Sequence, residues 1–205
     1  NDVTQGGSMF LTRGFSRLAA SAVVAGCTAG VIGCSGSPSG PSGPNGTLNM
    51  MLKDSPFSEA QAVLGTFSEV SVHKDTDADF TTVPFAGGAT QRTCDLKKLE
   101  TAQDVLGVGT LPAGHYPQVR LMVSGAKLYD KPAAGNACDT SIAEPAPAIA
   151  TLTIPSGEVK LNRQFTVPEA GSTTMLLDFD GDRSIVQTGN GSYMMKPVIT
   201  VVSAQ

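Results

Sequence analysis

Hydrophobic and polar residues alternate along most of this chain, in short runs that end at glycine or proline. The run 47–53 places Leu48, Met50 and Leu52 on one face, and the run 116–123 repeats the alternation. A period of two is typical of a strand that buries one face. Further strands are predicted over the runs 66–73, 79–85, 150–157, 158–161, 164–167, 173–180, 184–188 and 192–202.

Three local signals refine this strand pattern. Phe67 is out of phase with Val70 and Val72, which a β-bulge would allow. The segment 188–191, Thr-Gly-Asn-Gly, predicts a hairpin turn because Asn-Gly tolerates positive φ angles. The segment 94–107 is the single helix candidate. Its predicted N-cap and core-facing residues are Asp95, Leu96, Leu99 and Val105.

Short strands at this spacing predict one all-β domain over residues 46–205, with at most one short helix. The expected architecture is a single antiparallel β-sandwich with Greek-key connections, of immunoglobulin or transthyretin type. Gly114 and Tyr116 precede a strong strand in Leu-Pro-Ala-Gly-His-Tyr, a segment that resembles a tyrosine corner. The alternative is an ordinary turn with a half-buried tyrosine.

The N-terminal part carries a different pattern. Residues 1–8 precede the first methionine, and we set them apart as an expression-vector remnant or an upstream translated stretch. Residues 9–33 combine two arginines with an apolar run that is too short to span a bilayer, which predicts a secretory signal peptide. The alternatives are an uncleaved anchor helix and a buried core helix.

A cysteine follows this apolar run directly. Val-Ile-Gly before Cys34 resembles the bacterial lipobox, which implies cleavage before Cys34 and acylation of that residue. Cys27 matches the same pattern and remains the alternative anchor. Cys34 is favoured because the Gly/Ser/Pro stretch 34–45 then forms a flexible tether. Acyl chains would hold the protein on a lipid bilayer. The expected location is the cell envelope, at the outer membrane or cell surface.

Composition limits the classes of partner. The chain has 14 basic and 18 acidic residues, without a basic stripe, so nucleic-acid binding is not expected. Trp is absent, which weakens glycan recognition relative to protein recognition because sugar-stacking platforms favour Trp. No nucleophile elbow, phosphate loop or zinc-protease motif occurs, so no catalytic residue is proposed.

Four groups of residues are candidates for chemistry. Cys94 and Cys138 predict a disulfide in an oxidising compartment, with free thiols as the alternative. The candidate calcium ligands are the carboxylates of Asp178, Asp180 and Asp182. Their pattern departs from an EF-hand loop. The simpler interpretation is an acidic strand edge that leads into a turn.

The other two groups are predicted to be structural. His73 and His115 have no second ligand at metal spacing, so they are expected on a strand surface and in a turn. Asp54 ends the first strand and is expected to bond to the backbone in an Asx turn. No cofactor other than the candidate calcium is expected.

Several sequence blocks in order carry a family resemblance. They are Gly46-Thr-Leu-Asn-Met-Met-Leu-Lys-Asp54, Val70-Ser-Val-His73, Leu111-Pro-Ala-Gly-His-Tyr116, Ile154-Pro-Ser-Gly157, Leu177-Asp-Phe-Asp180 and Tyr193-Met-Met-Lys196-Pro197. This series resembles the domain-of-unknown-function family numbered 4382, over residues 46 to 202. The resemblance implies a β-sandwich in a bacterial envelope lipoprotein, and it supplies no activity.

The sequence therefore favours a non-catalytic, membrane-tethered domain that binds a protein or glycan ligand. The alternative is a structural assembly subunit that self-associates through an edge strand. A small hydrolase that uses carboxylates is a third hypothesis.

Overall fold

The computed structural model describes residues 43–55 and 57–205. The predicted signal peptide, Cys27 and Cys34 lie outside the described residues, as does the tether up to residue 42. Within the described part, no helix has the length and apolar content needed to cross a bilayer.

Strands dominate the described residues. In chain order they are β1 (Asn45–Ser55), β2 (Ala62–His73), β3 (Phe80–Thr82), β4 (Arg92–Asp95), β5 (Asp104–Pro112), β6 (Gly114–Tyr116), β7 (Gln118–Tyr129), β8 (Cys138–Asp139), β9 (Ala148–Thr151), β10 (Glu158–Leu161), β11 (Phe165–Val167), β12 (Ser172–Asp180), β13 (Ile185–Gln187), β14 (Tyr193–Met195) and β15 (Ile199–Ala204). The helices are a 3₁₀ turn (Ala86–Gly88), α1 (Leu96–Leu99) and α2 (Gly181–Ser184).

The first sheet has four strands in the order β15-β12-β1-β5. Strand β1 follows the predicted alternation, since Leu48, Met50 and Leu52 are fully buried and the residues between them are partly exposed. It pairs in parallel with β12, from Thr47 opposite Ser172 onward, and antiparallel with β5. This parallel pair departs from the wholly antiparallel sandwich that the sequence predicts.

The second sheet has seven strands, with β10-β7-β2-β4-β8 in order and β3 and β9 attached to β2 and β7. The long ladder between β2 and β7 shifts register on either side of Phe67. Phe67 is fully buried, as are Val70 and Val72. The predicted bulge is confirmed, and it lets three residues of mixed phase share the core face.

The two sheets share one hydrophobic core, which contains Leu177 and Phe179 of β12 together with Val70 of β2 and Leu121 of β7. Apolar faces of two open sheets that meet in this way define a β-sandwich. The all-β sandwich-like fold is therefore confirmed. The two small ladders, β6 with β11 and β13 with β14, flank it.

The predicted hairpin at 188–191 is present between β13 and β14. The backbone N–H of Thr188 donates to the carbonyl of Ser192 over 2.7 Å. Gly191 has φ 80°, a left-handed conformation that glycine adopts at low cost.

The helix predicted over 94–107 is wrong in its extent. Asp95 does cap a helix, because its carboxylate accepts from the N–H of Lys97, but α1 ends at Leu99. Residues 104–112 form β5, in which Val105 pairs with Met51 of β1 instead of lying on a helix face. The physical reason is tertiary, because pairing with β1 favours a strand over residues 104–112. Gly107 permits a close approach to the Pro84 backbone, since a Cβ there would lie only 2.8 Å from the Pro84 carbonyl oxygen.

Candidate functional site

A concave surface on the outer side of the seven-stranded sheet, about 340 Å³ in volume, is the first candidate site. We call it the outer-face cleft. Its polar lining consists mainly of hydroxyl and amide side chains, namely Thr66, Gln91, Thr93, Ser124, Ser141 and Thr151. Its apolar lining includes Leu64, Ile142 and Leu152, and the charged lining consists of Lys127 and Glu144.

The floor of the cleft forms where β7 changes its partner. Beyond the bulge, Gly125 of β7 stands opposite Thr66 of β2, and both line the cleft. On the other edge of β7, β10 pairs with residues up to Met122, whereas β9 begins to pair at Lys127. Backbone hydrogen bonds from Val123 to Gly157 and from Leu152 to Ala126 extend the two ladders, so Ser124 and Gly125 lie between them and both line the cleft.

The wall of the cleft is the segment that follows Cys138. A disulfide joins Cys138 to Cys94 of β4, with an S–S distance of 2.05 Å, as the sequence predicts. The N–H of Cys138 donates to the Asp104 carboxylate over 2.9 Å, and the Arg92 guanidinium donates to the Cys138 carbonyl over 3.3 Å. Covalent and polar contacts therefore fix the start of this wall.

The two charged residues of the cleft neutralise each other. The Lys127 ammonium donates to both Glu144 carboxylate oxygens, over 2.7 and 2.8 Å. These hydrogen bonds lower the pKa of Glu144. The Tyr129 hydroxyl is buried close to Glu144, and it makes no hydrogen bond within the described residues. Burial is the main cause of the raised pKa of Tyr129.

Asp54 is the most unusual titratable residue of the described part. It is 4% exposed, and neither of its carboxylate oxygens has a hydrogen-bond partner among the described residues. The predicted Asx-turn bond is thus not formed, although the nearby N–H of Ser55 favours the charged form. Burial, and then the negative charges of Glu100 and Asp178, raise the pKa of Asp54 to about 8.

The backbone beside Asp54 is held by two side chains of the α1 region. Glu100 accepts from the N–H of Phe57 over 2.9 Å, and the Lys97 ammonium donates to the Phe57 carbonyl. Lys97 and Glu100 also pair with each other over 2.5 Å. Asp54 borders an open depression of about 510 Å³. Both carboxylate oxygens of Asp54 are nevertheless buried, beside the backbone that Lys97 and Glu100 hold.

The Tyr116 hydroxyl donates to the carbonyl of Pro112, four residues upstream, over 2.6 Å. This is the hydrogen bond that a tyrosine corner requires. Tyr116 is 1% exposed and stacks on Phe165, so it is not the half-buried residue of an ordinary turn. Gly114 has φ 149°, and a Cβ there would lie 2.6 Å from Cε of Lys74. Both residues have structural roles.

We expect Tyr116→Phe to lower the free energy of unfolding by about 1–3 kcal/mol, because it leaves the Pro112 carbonyl without its partner. Urea denaturation measures this loss. Tyr193→Phe at a half-exposed tyrosine is the control, with a change below about 0.5 kcal/mol expected. Equal effects of the two substitutions would contradict a specific role for the corner.

The three candidate calcium ligands are used in different ways. Asp178 accepts from the Lys53 ammonium over 2.8 Å and from the Ser55 hydroxyl over 3.1 Å. Asp180 caps α2 by accepting from the N–H of Arg183, and Asp182 is exposed within that helix. No group of three or more metal-ligating side chains forms within the described residues. Calcium binding stays a prediction.

His73 lies on β2, whereas His115 lies on the short strand β6 and not in the predicted turn. His115 pairs with Asp75, Nδ1 to Oδ2, over 3.3 Å. His73 packs against Phe80, with ring centroids 5.0 Å apart, in an open groove. The guanidinium of Arg120 covers the Phe80 ring at 3.7 Å, so this aromatic face is already occupied.

The family comparison covers most of this sandwich. A family model described as a domain of unknown function (DUF4382) matches residues 45–197. The chain belongs to the DUF4382 family. No curated protein and no solved structure matches the chain.

The DUF4382 match begins with β1 and ends shortly before β15. It therefore includes the outer-face cleft, Asp54 and the tyrosine corner. The sequence singled out Asp54 and Tyr116, but it named none of the polar residues that line the cleft. Thr66 and Thr93 are spaced as outward positions of β2 and β4, and such a pattern is also typical of an ordinary solvated strand face.

Proposed function

We propose that this DUF4382 protein is a non-catalytic binding domain, held at the cell envelope by an acylated Cys34, whose ligand site is the outer-face cleft. The cleft is the single observation that carries the binding role. Small-ligand sites are concave and combine apolar surface with a few convergent polar groups. The cleft offers Leu64 and Leu152 beside several hydroxyl groups.

The wall of the cleft supports the same proposal. A site that is already fixed loses little conformational entropy when a ligand binds. The Cys94–Cys138 disulfide and the Asp104 hydrogen bond fix the wall where it leaves the sheet. The pairing of Lys127 with Glu144 commits the charged groups of the cleft to each other, which favours binding over acid–base catalysis.

A steric variant tests the binding role. A Cβ at Gly125 would meet only Cβ of Thr66, at 4.0 Å, so there is room for the first side-chain atom at this lining position, and Gly125→Val adds bulk to the cleft. We would screen the full-length protein for thermal stabilisation by sugars, amino acids and short peptides. A compound that raises Tm of the wild type but not of Gly125→Val supports the proposal. Screening hits that stabilise both proteins equally, or no hits, overturn it.

The anchor is tested by fractionation of cells. We expect Cys34→Ser to move the protein from the membrane to the soluble fraction, because it removes the acylated thiol. Cys27→Ser is the matched control and is expected to leave the protein in the membrane fraction. The reverse result would assign the anchor to Cys27, and retention of the double variant in membranes would contradict lipid anchoring.

One observation favours the assembly alternative. Val202 is 50% exposed on β15, an edge strand of the four-stranded sheet. An exposed edge with an apolar side chain can pair with another strand. Under this alternative, sedimentation of the full-length protein in detergent shows oligomers that Val202→Lys disperses. Monomers at all concentrations would exclude it.

A further inference from the structure

We propose that the outer-face cleft binds an uncharged, hydroxyl-rich ligand of the size of one or two sugar rings. This inference rests on the proposed binding role and adds the chemical class of the ligand. It follows from three properties of the lining: its hydrogen-bonding groups, its charge and its apolar floor.

The hydrogen-bonding groups are mainly hydroxyls. A serine or threonine hydroxyl both donates and accepts, as does each hydroxyl of a sugar, so the two surfaces can match without a fixed pattern of donors. The Thr66 and Thr93 hydroxyls lie 3.1 Å apart, and either can donate to the other. Each keeps further capacity for a ligand. The amide of Gln91 adds a donor and an acceptor at the same surface.

The charge of the cleft favours a neutral ligand. The Lys127 ammonium donates to both carboxylate oxygens of Glu144, so the two charges cancel within the lining. An anion or a cation would have to compete with the opposite partner of this pair. A neutral polyol can instead accept from the lysine and donate to the glutamate, and it leaves the pair intact.

The floor of the cleft carries little side-chain bulk. Gly125 has no side chain and Ala126 has only a methyl group, while the apolar lining residues Ala126 and Leu152 are 3% and 4% exposed. Sugar rings present C–H groups on their faces, and these can cover such a floor while the ring hydroxyls reach the polar rim. The volume of about 340 Å³ lies at the lower end of the range of small-ligand sites.

The open groove around Phe80 is the competing location for a sugar. It carries an aromatic ring and the amides of Gln118, Asn162 and Gln164. However, Arg120 covers a face of the Phe80 ring, and the Gln118 amide already donates to Asn162 over 2.6 Å. In the outer-face cleft, Ser124, Ser141 and Thr151 are exposed and their hydroxyls can reach a ligand, so it is the better sugar site.

The test uses full-length protein in detergent and ligand-detected NMR. The probes are glucose, galactose, N-acetylglucosamine and lactose, with glucuronate as an anionic probe. At least one neutral sugar is expected to bind the wild type. Its affinity is expected to fall at least tenfold in Gly125→Val, while glucuronate binds more weakly. Gly189→Val is the matched control, since a Cβ at Gly189 meets nothing within 4 Å.

Each outcome decides between the two proposals. If no sugar binds the wild type, but an amino acid or short peptide does and Gly125→Val abolishes it, the ligand class is wrong and the binding role stands. If a neutral sugar binds Gly125→Val as tightly as the wild type, the cleft is not its site. If glucuronate binds more tightly than every neutral sugar, the inference of an uncharged ligand fails. If no probe and no screened compound binds the cleft, both proposals fail.

Discussion

Asp54→Asn is expected to make the domain more stable above pH 8 and to flatten its stability as a function of pH. The pKa of Asp54 is raised from 3.8 to about 8 in the folded chain. The folded state therefore keeps a proton that the unfolded chain releases as pH rises between these two values. The contribution of Asp54 to stability is therefore highest at or below about pH 4, falls as pH rises through this window, and levels off above pH 8.

The size of the effect follows from the pKa difference. Each unit of pKa shift corresponds to about 1.4 kcal/mol, so ionised Asp54 costs at most about 6 kcal/mol above pH 8. Asparagine has nearly the same shape and carries no charge, so the variant avoids this cost. Urea unfolding at pH 5, 7 and 9 measures the difference, which is expected to widen with pH.

Exposed Asp79 provides the matched control. Asp79→Asn removes the same charge from the surface and is expected to change the free energy of unfolding by less than about 0.5 kcal/mol at every pH. Parallel pH profiles for wild type and Asp54→Asn would show that the Asp54 carboxylate is solvated or paired in solution. That result would remove the account of Asp54 as a buried, unpaired acid.

Removal of the Cys94–Cys138 disulfide is expected to have the second large effect. The bond joins residues 44 positions apart. Closure of a loop of this length lowers the entropy of the unfolded chain by the equivalent of about 4 kcal/mol. We expect Cys94→Ala/Cys138→Ala to lose about this much free energy of unfolding, measured by urea denaturation under oxidising conditions.

Reduction of the wild type supplies the control for this prediction. Wild-type protein in reducing buffer should match the double variant, and the variant should not respond to the reductant. Hydrogen exchange should also accelerate in residues 138–144, because the wall of the cleft loses its covalent attachment. A loss below about 1 kcal/mol would contradict the loop-entropy account.

The sequence predicted those features whose cause is local. The alternation around Leu48 and Leu121 determines which face of each strand is buried, and the glycines near residue 190 determine a turn. The disulfide was also within reach, because the domain has only two cysteines outside the leader. The strand faces and the turn require a few neighbouring residues each, and the disulfide requires only the cysteine count and an oxidising compartment.

The features that the sequence did not predict depend on distant contacts. Residues 104–112 carry a helix-like spacing at their start, but their pairing with β1 decides in favour of a strand. Asp54 has an ordinary turn sequence, and it is buried where β1 meets the α1 region and α2, which follow much later in the chain. The cleft combines residues of β2, β4, β7 and the segment after β8, which no local pattern connects.

The position of β1 has a consequence for the order of folding. This strand is central in its sheet, and its parallel neighbour β12 is among the last strands of the chain. During synthesis, β1 emerges long before β12, and a contact between such distant segments forms slowly. One edge of β1 therefore stays without its hydrogen-bond partner until the C-terminal third of the chain has been synthesised. A chain that stops before Ser172 would leave this edge free to pair with other strands.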